Sequence, residues 1–168
     1  MATVARPRAR GQGLVEFALV LPLFLFILIA IVDVGRVVWA NDVLANAARE
    51  AARYAIVHGG SASTPCPVGP AGPDTRIPAA SSSCPYPSPS KQAIVDVARN
   101  YANGGGTITV DVCYGAGCTG STDAVAATNV RGTPVTVRVY GTVPMITGSM
   151  FGLASYALAG NSTMKVNH

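Results

Sequence analysis

Histidine is almost absent from this chain: only His58 and His168 carry a side chain that titrates near neutrality. Neither stands in a nucleophile motif, and the G-x-S-x-G, H-E-x-x-H and phosphate-loop patterns are missing, so the chemistries they serve have no carrier. The glycine-rich "NGGGT" at 103–107 follows a helical pattern and precedes a strand pattern, the reverse of the order a nucleotide site needs. It is explained as a helix stop. Asp96, Asp111 and Asp123 lack calcium-ligand spacing, and each is adequate as a solvated strand or helix position. Charge is scarce too, at 12% of residues, against a mean hydropathy of +0.37. The net charge of +4 leans on Arg6, Arg8 and Arg10, which precede any acid. Three arginines fall short of the usual polybasic cluster of about 4 to 8, and they do not spread as a nucleic-acid surface would. The expectation is a chain that is not an enzyme and takes no cofactor, metal or nucleic acid.

What the chain does have is one long apolar run. From Phe17 to Val32 no charge occurs, and Leu14 and Val15 extend the stretch to the roughly 17 to 25 residues that cross a bilayer. A secretory apolar region is shorter, about 7 to 15 residues, and ends in a cleavage site. Here "DVGRVVWANDVLANAAREAARYAIV" follows with helical periodicity instead. Ala40, Leu44, Ala47, Ala48, Ala51, Ala52 and Ala55 recur at spacings of three and four, with Asn41, Asp42, Asn46, Arg49, Glu50 and Arg53 on other faces. The pattern predicts one helix from about residue 14 to 57, with a membrane half and an amphipathic half. Asp33 and Arg36 can pair where it leaves the lipid, and Pro22 should kink or loosen it. The alanine face either packs on the chain's own domain or lets a second helix approach closely.

Glu16 is the anomaly, a carboxylate at the head of the run. It can lie among headgroups, snorkel to water, or meet a specific partner, and an ionisable group in a span is a functional candidate by default. The basic residues before it predict a single pass with a cytoplasmic N-terminus and everything after the span outside the cytoplasm.

After Val57 comes "HGGSASTPCPVGPAGPDTRIPAASSSCPYPSPS", rich in Gly, Pro and Ser, which reads as a long loop. "SPSKQAIVDVARNYANGGG" reads as a short helix capped by Ser90, with Ile94, Val97, Ala98 and Tyr101 on one face and a stop at Gly104. "TITVDVCY" and "PVTVRVYG" alternate as half-buried strands, and residues 154–166 make a weaker third. With no helical crossover between them, the expected fold class is α+β, an antiparallel sheet with helices packed on it. Four cysteines outside the cytoplasm point to disulfides, and Cys66 with Cys84 and Cys113 with Cys118 is the favoured of three pairings. A four-cysteine zinc site is disfavoured, since neither pair has C-x2-C spacing.

The stretch "RGQGLVEF" resembles a class III (type IV) prepilin signal: a basic tail, Gly11, then Gln12, with Glu16 fifth and Phe17 sixth after the glycine. More closely, "RGQGLVEFALVLPLFLFILIAIVDVGRVVWANDVLANAAREAARYA", residues 10 to 55, resembles the TadE-like family of minor pilins or pseudopilins in tight-adherence (Flp-type) pilus systems. The resemblance implies a type IV pilin-like architecture: leader 1–11, helix 12–58, loop 59–90, and a helix with antiparallel strands over 91–168. It implies a prepilin peptidase cutting between Gly11 and Gln12; Gly13 offers a second glycine, but a cut there leaves Glu16 third. It implies other pilins and assembly-platform proteins as partners besides the lipid bilayer, with Glu16 and Pro22 as assembly residues. Glu16 would then neutralise the new amine of a neighbouring subunit. The place would be the inner membrane, and after assembly a cell-surface pilus supporting adhesion. A major Flp pilin is little more than its helix, so the outer domain favours a minor subunit. The alternative is a signal-anchored extracytoplasmic binding protein.

Overall fold

A computed structural model describes residues 11–60, 68–70, 91–103, 107–118, 120, 123–124 and 128–167. The leader arginines, Ser90, Gly104, Cys66 and Cys84 lie outside the described residues, as does most of the Pro/Gly/Ser-rich stretch.

The predicted long helix is one uninterrupted element, α1, Gln12–Val57, of 46 residues, about 69 Å at 1.5 Å per residue. It passes through Pro22 without a break, although the proline ring withholds one donor from the carbonyl of Ala18. Its two halves differ in what surrounds them. Large apolar side chains from Leu14 to Val32 are exposed around the helix, whereas Ala40, Leu44, Ala47, Ala48, Ala51, Ala52 and Ala55 are buried. The alanine stripe is therefore occupied by the chain's own domain.

That domain comprises α2 (Gln92–Tyr101), β1 (Thr107–Tyr114), β2 (Pro134–Pro144) and β3 (Ser155–Lys165). The strands form an antiparallel sheet in the order β1-β2-β3. Alternation in β2 sends Val135, Val137 and Val139 inward, and Val112, Tyr114 and Val166 complete that layer. Helix α1 lies over β2 and β3, and α2 packs on both α1 and β1. The approach of α1 to β3 is close because the helix offers alanines and the strand offers Gly160: a Cβ at 160 would fall on the backbone of Leu44 and Ala45. Thr136 and Thr163 face each other in register and share a hydroxyl hydrogen bond of 2.9 Å.

Three details depart from the sequence reading. Tyr101 is not on the buried face of α2; it is exposed, and Ala102 just past the helix end enters the core beside Ile94 and Ala98. Tyr101 instead lines a shallow groove with Val97, Tyr54 and His58, where α2 meets α1. Within the Pro/Gly/Ser-rich stretch, Val68 is a core residue, its N–H bonded to the carbonyl of His58 at 2.7 Å. Buried Asn129 locks this corner: its side-chain N–H reaches the Val68 carbonyl, and its own carbonyl accepts from Gly60. Asp123 is no merely solvated position either, since it accepts from the Tyr114 N–H at 2.7 Å and pairs with Lys91.

Candidate functional site: the N-terminal helix and its buried acid

Helix α1 begins at Gln12, with Gly11 as its N-cap in right-handed helical conformation. The N–H of Val15 donates to the carbonyl of Gly11 at 3.2 Å. Cleavage after Gly11 would remove that acceptor and put a new ammonium at the first helical position, where the aligned peptide dipoles already make the helix end positive. Glu16 is exposed, one turn on. It shares a face with Gln12, Val15, Leu19 and Val20, so its carboxylate is presented laterally among apolar side chains. Phe17 and Pro22 are exposed on the same bare half of the helix. The structure thus gathers Gly11, Gln12, Glu16 and Phe17 within the first turns, all open to a neighbour, with Pro22 further along.

The acid that the sequence undervalued is Asp33. Its pairing with Arg36 is present but long, 3.7 Å between Nη1 and Oδ1. The stronger partners come from the connection between β2 and β3. The N–H of Ile146 donates to Asp33 Oδ2 at 2.9 Å, the N–H of Thr147 at 2.7 Å, and the Thr147 hydroxyl at 2.6 Å. Asp33 is 2% exposed, though it directly follows the apolar run. Charge-assisted bonds of this length are the strong class, and they tie the start of the β2–β3 connection to the helix. A short 3-10 turn, Gly148–Phe151, follows immediately with Thr147 as its cap. The sequence signal was available: an acid at the end of a membrane-grade run needs donors, and one arginine a turn away supplies only part of them.

Cys113 and Cys118 are joined as a disulfide at the end of β1, in agreement with one of the two favoured pairs. Tyr114 next to it is fully buried. Burial, with the Asp123 carboxylate adding to it, pushes its phenol up from the ordinary value of 10. Among the described residues no group of three or more His, Cys, Asp or Glu side chains could hold a metal ion.

Helix α1 is long and apolar enough to cross a membrane, and none of its most apolar window is buried in the protein. A protein-family model described as TadE-like protein matches residues 11–53. Comparison with curated proteins and with solved structures gave no match.

Proposed function

We propose, taking residues 11–53 as the TadE-like segment they match, that this chain is a minor pilin or pseudopilin of a Tad/Flp-type pilus. It is inserted with its N-terminus in the cytoplasm, cut after Gly11 by a prepilin peptidase, and assembled through the bare half of α1 into the pilus or its initiating complex, where it supports adhesion. The observation that carries this reading is that the family match opens at Gly11, the residue that caps α1. The mature chain then begins with the first helical residue, and Glu16 stands one turn from the new amine. An isolated carboxylate in lipid is costly, whereas one that meets an ammonium on an adjacent subunit is tolerable and sets register between the two. Because the alanine face is occupied by the domain, lateral assembly falls to residues 12–32.

Substitution separates this reading from a tethered binding protein. Gly11→Ala is expected to accumulate as precursor when expressed with a prepilin peptidase, and Glu16→Ala to be cut normally but to lose co-purification with other pilins. Normal maturation of Gly11→Ala, or unchanged pilin association of Glu16→Ala, contradicts the cleavage site or the pairing role respectively.

A further inference from the structure

Between Arg138 and Lys165 the chain has no charged side chain, and the middle of that stretch is the β2–β3 connection, residues 145–154. The connection runs back along the N-terminal half of α1. The ring of Phe151 meets the ring of Phe26 edge-on, with centroids 5.9 Å apart, and Asp33 holds Ile146 and Thr147. Phe26 precedes Asp33 by seven residues, about 10 Å along the helix axis, so the loop descends beside the membrane-grade run. Its outward side chains are apolar: Ile146, Met150, Phe151 and Leu153 are exposed, Met150 at 75% and Phe151 at 72%. A water-facing hairpin tip usually carries charged or amide side chains; this one has none, and its polar side chains are Thr147 and Ser149, both bonded within the chain.

At least six of the ten backbone N–H groups of residues 145–154 are bonded within the chain, which lowers the cost of taking the tip out of water. The N–H of Met145 bonds to Ala154, Met150 to Thr147, Gly152 to Ser149 and Leu153 to Gly148. Ile146 and Thr147 give theirs to Asp33, and the Ser149 hydroxyl covers the Ile146 carbonyl. Exposed apolar side chains on α1 continue past Asp33 through Val34 and Val38 to Trp39, and Tyr156 is exposed near the start of β3. Trp and Tyr on the domain side of an apolar zone are the side chains that sit at a membrane surface.

We propose that the 145–154 loop enters the bilayer beside α1 as a second membrane contact, with Met150, Phe151 and Leu153 among the acyl chains of the leaflet nearest the domain. The proposal rests on α1 spanning the membrane. Acyl chains are the occupant because the tip is continuous, through the Phe26–Phe151 contact, with a surface of α1 that lipid must cover in any case. In this position the loop shields Asp33 from lipid, and the two contacts together fix the tilt of the domain on the membrane.

The test uses the full chain reconstituted in phosphatidylcholine vesicles with acyl chains brominated at mid-chain, which quench nearby tryptophan. In a Trp39→Phe background, which removes the single native tryptophan, Phe151→Trp and Met150→Trp report the loop, and Phe24→Trp reports the span. Quenching at 150 and 151 comparable with that at 24 is expected. Quenching at 24 with none at 150 or 151 overturns the proposal while leaving the span intact, whether the tip lies in water or against a second pilin. Absence of quenching at all three positions removes the span and the proposal together.

Discussion

Asp33→Ala deletes the acceptor for two backbone N–H groups and a hydroxyl, leaving buried or half-buried donors unpaired. Hydrogen exchange is expected to accelerate at Ile146 and Thr147 while the valines of β2 keep their protection; uniform protection in the variant would show that the carboxylate does not hold the loop. Asp33→Asn should fall between, since its amide oxygen can keep the Oδ2 bonds without the charge while its NH2 group faces the Ile146 N–H and Arg36. Tyr114 offers a different case. Its hydroxyl is buried and has no hydrogen-bond partner among the described residues, so Tyr114→Phe is expected to match or exceed the parent in thermal midpoint. The sign of its pH dependence follows from the raised phenol: the folded state disfavours the anion, so stability is intact below about pH 10 and is lost as pH rises above it. Tyr114→Phe should therefore weaken the alkaline decline, and an unchanged decline would assign it elsewhere. At Gly160 the constraint is steric, because a Cβ there meets helix backbone, which cannot swing aside. Gly160→Val is expected to cost about 1–3 kcal/mol in denaturant unfolding.

Among the elements, the strands and α1 were legible because their apolar periods are clean. Val135, Val137 and Val139 alternate at two, and the alanines of α1 recur at three and four; both sets are buried. The course of α1 was readable from about residue 14 to Val57, because nothing after Gly35 breaks the pattern, and its start at Gln12 came with the resemblance. What stayed hidden depends on contacts distant in sequence. Asp33 meets residues over a hundred positions later, and no local pattern announces such a partner. Val68 sits in a stretch whose composition says loop, yet one valine is enough to dock it, because burial is decided residue by residue and composition averages it away. Tyr101 was misplaced for a geometric reason: the helix ends there, the chain turns, and the next residue, Ala102, is the one that enters the core. In the candidate site, Gly11, Gln12, Glu16 and Phe17 could be named from the resemblance, since their meaning lies in order along the chain. The loop at 145–154 could not, since its meaning lies in what it touches. The short disulfide loop between Cys113 and Cys118 should contribute about 2 kcal/mol by restricting the unfolded chain. Cys113→Ser with Cys118→Ser, compared with the parent by urea denaturation, measures it; no change in midpoint would mean the loop is equally restricted without the bond.

As a whole, the molecule divides its surface by solvent. One face of the C-terminal half of α1 is covered by the sheet and α2, the N-terminal half is largely bare, and the β2–β3 connection reaches from one toward the other. On the proposed reading, a chain built this way has its domain held close to the membrane and meets other subunits chiefly through residues 12–32 of the helix. Glu16 near the start of that half is the one acid between Gly11 and Val32, so its role depends on what precedes it in the mature protein. The most direct measurement is the N-terminal peptide of the protein recovered from membranes or pili of cells that contain the whole assembly system, read by mass spectrometry. A mature chain beginning at Gln12 is the predicted result. Recovery of assembled, functional protein that still carries Arg6, Arg8 and Arg10 would contradict it.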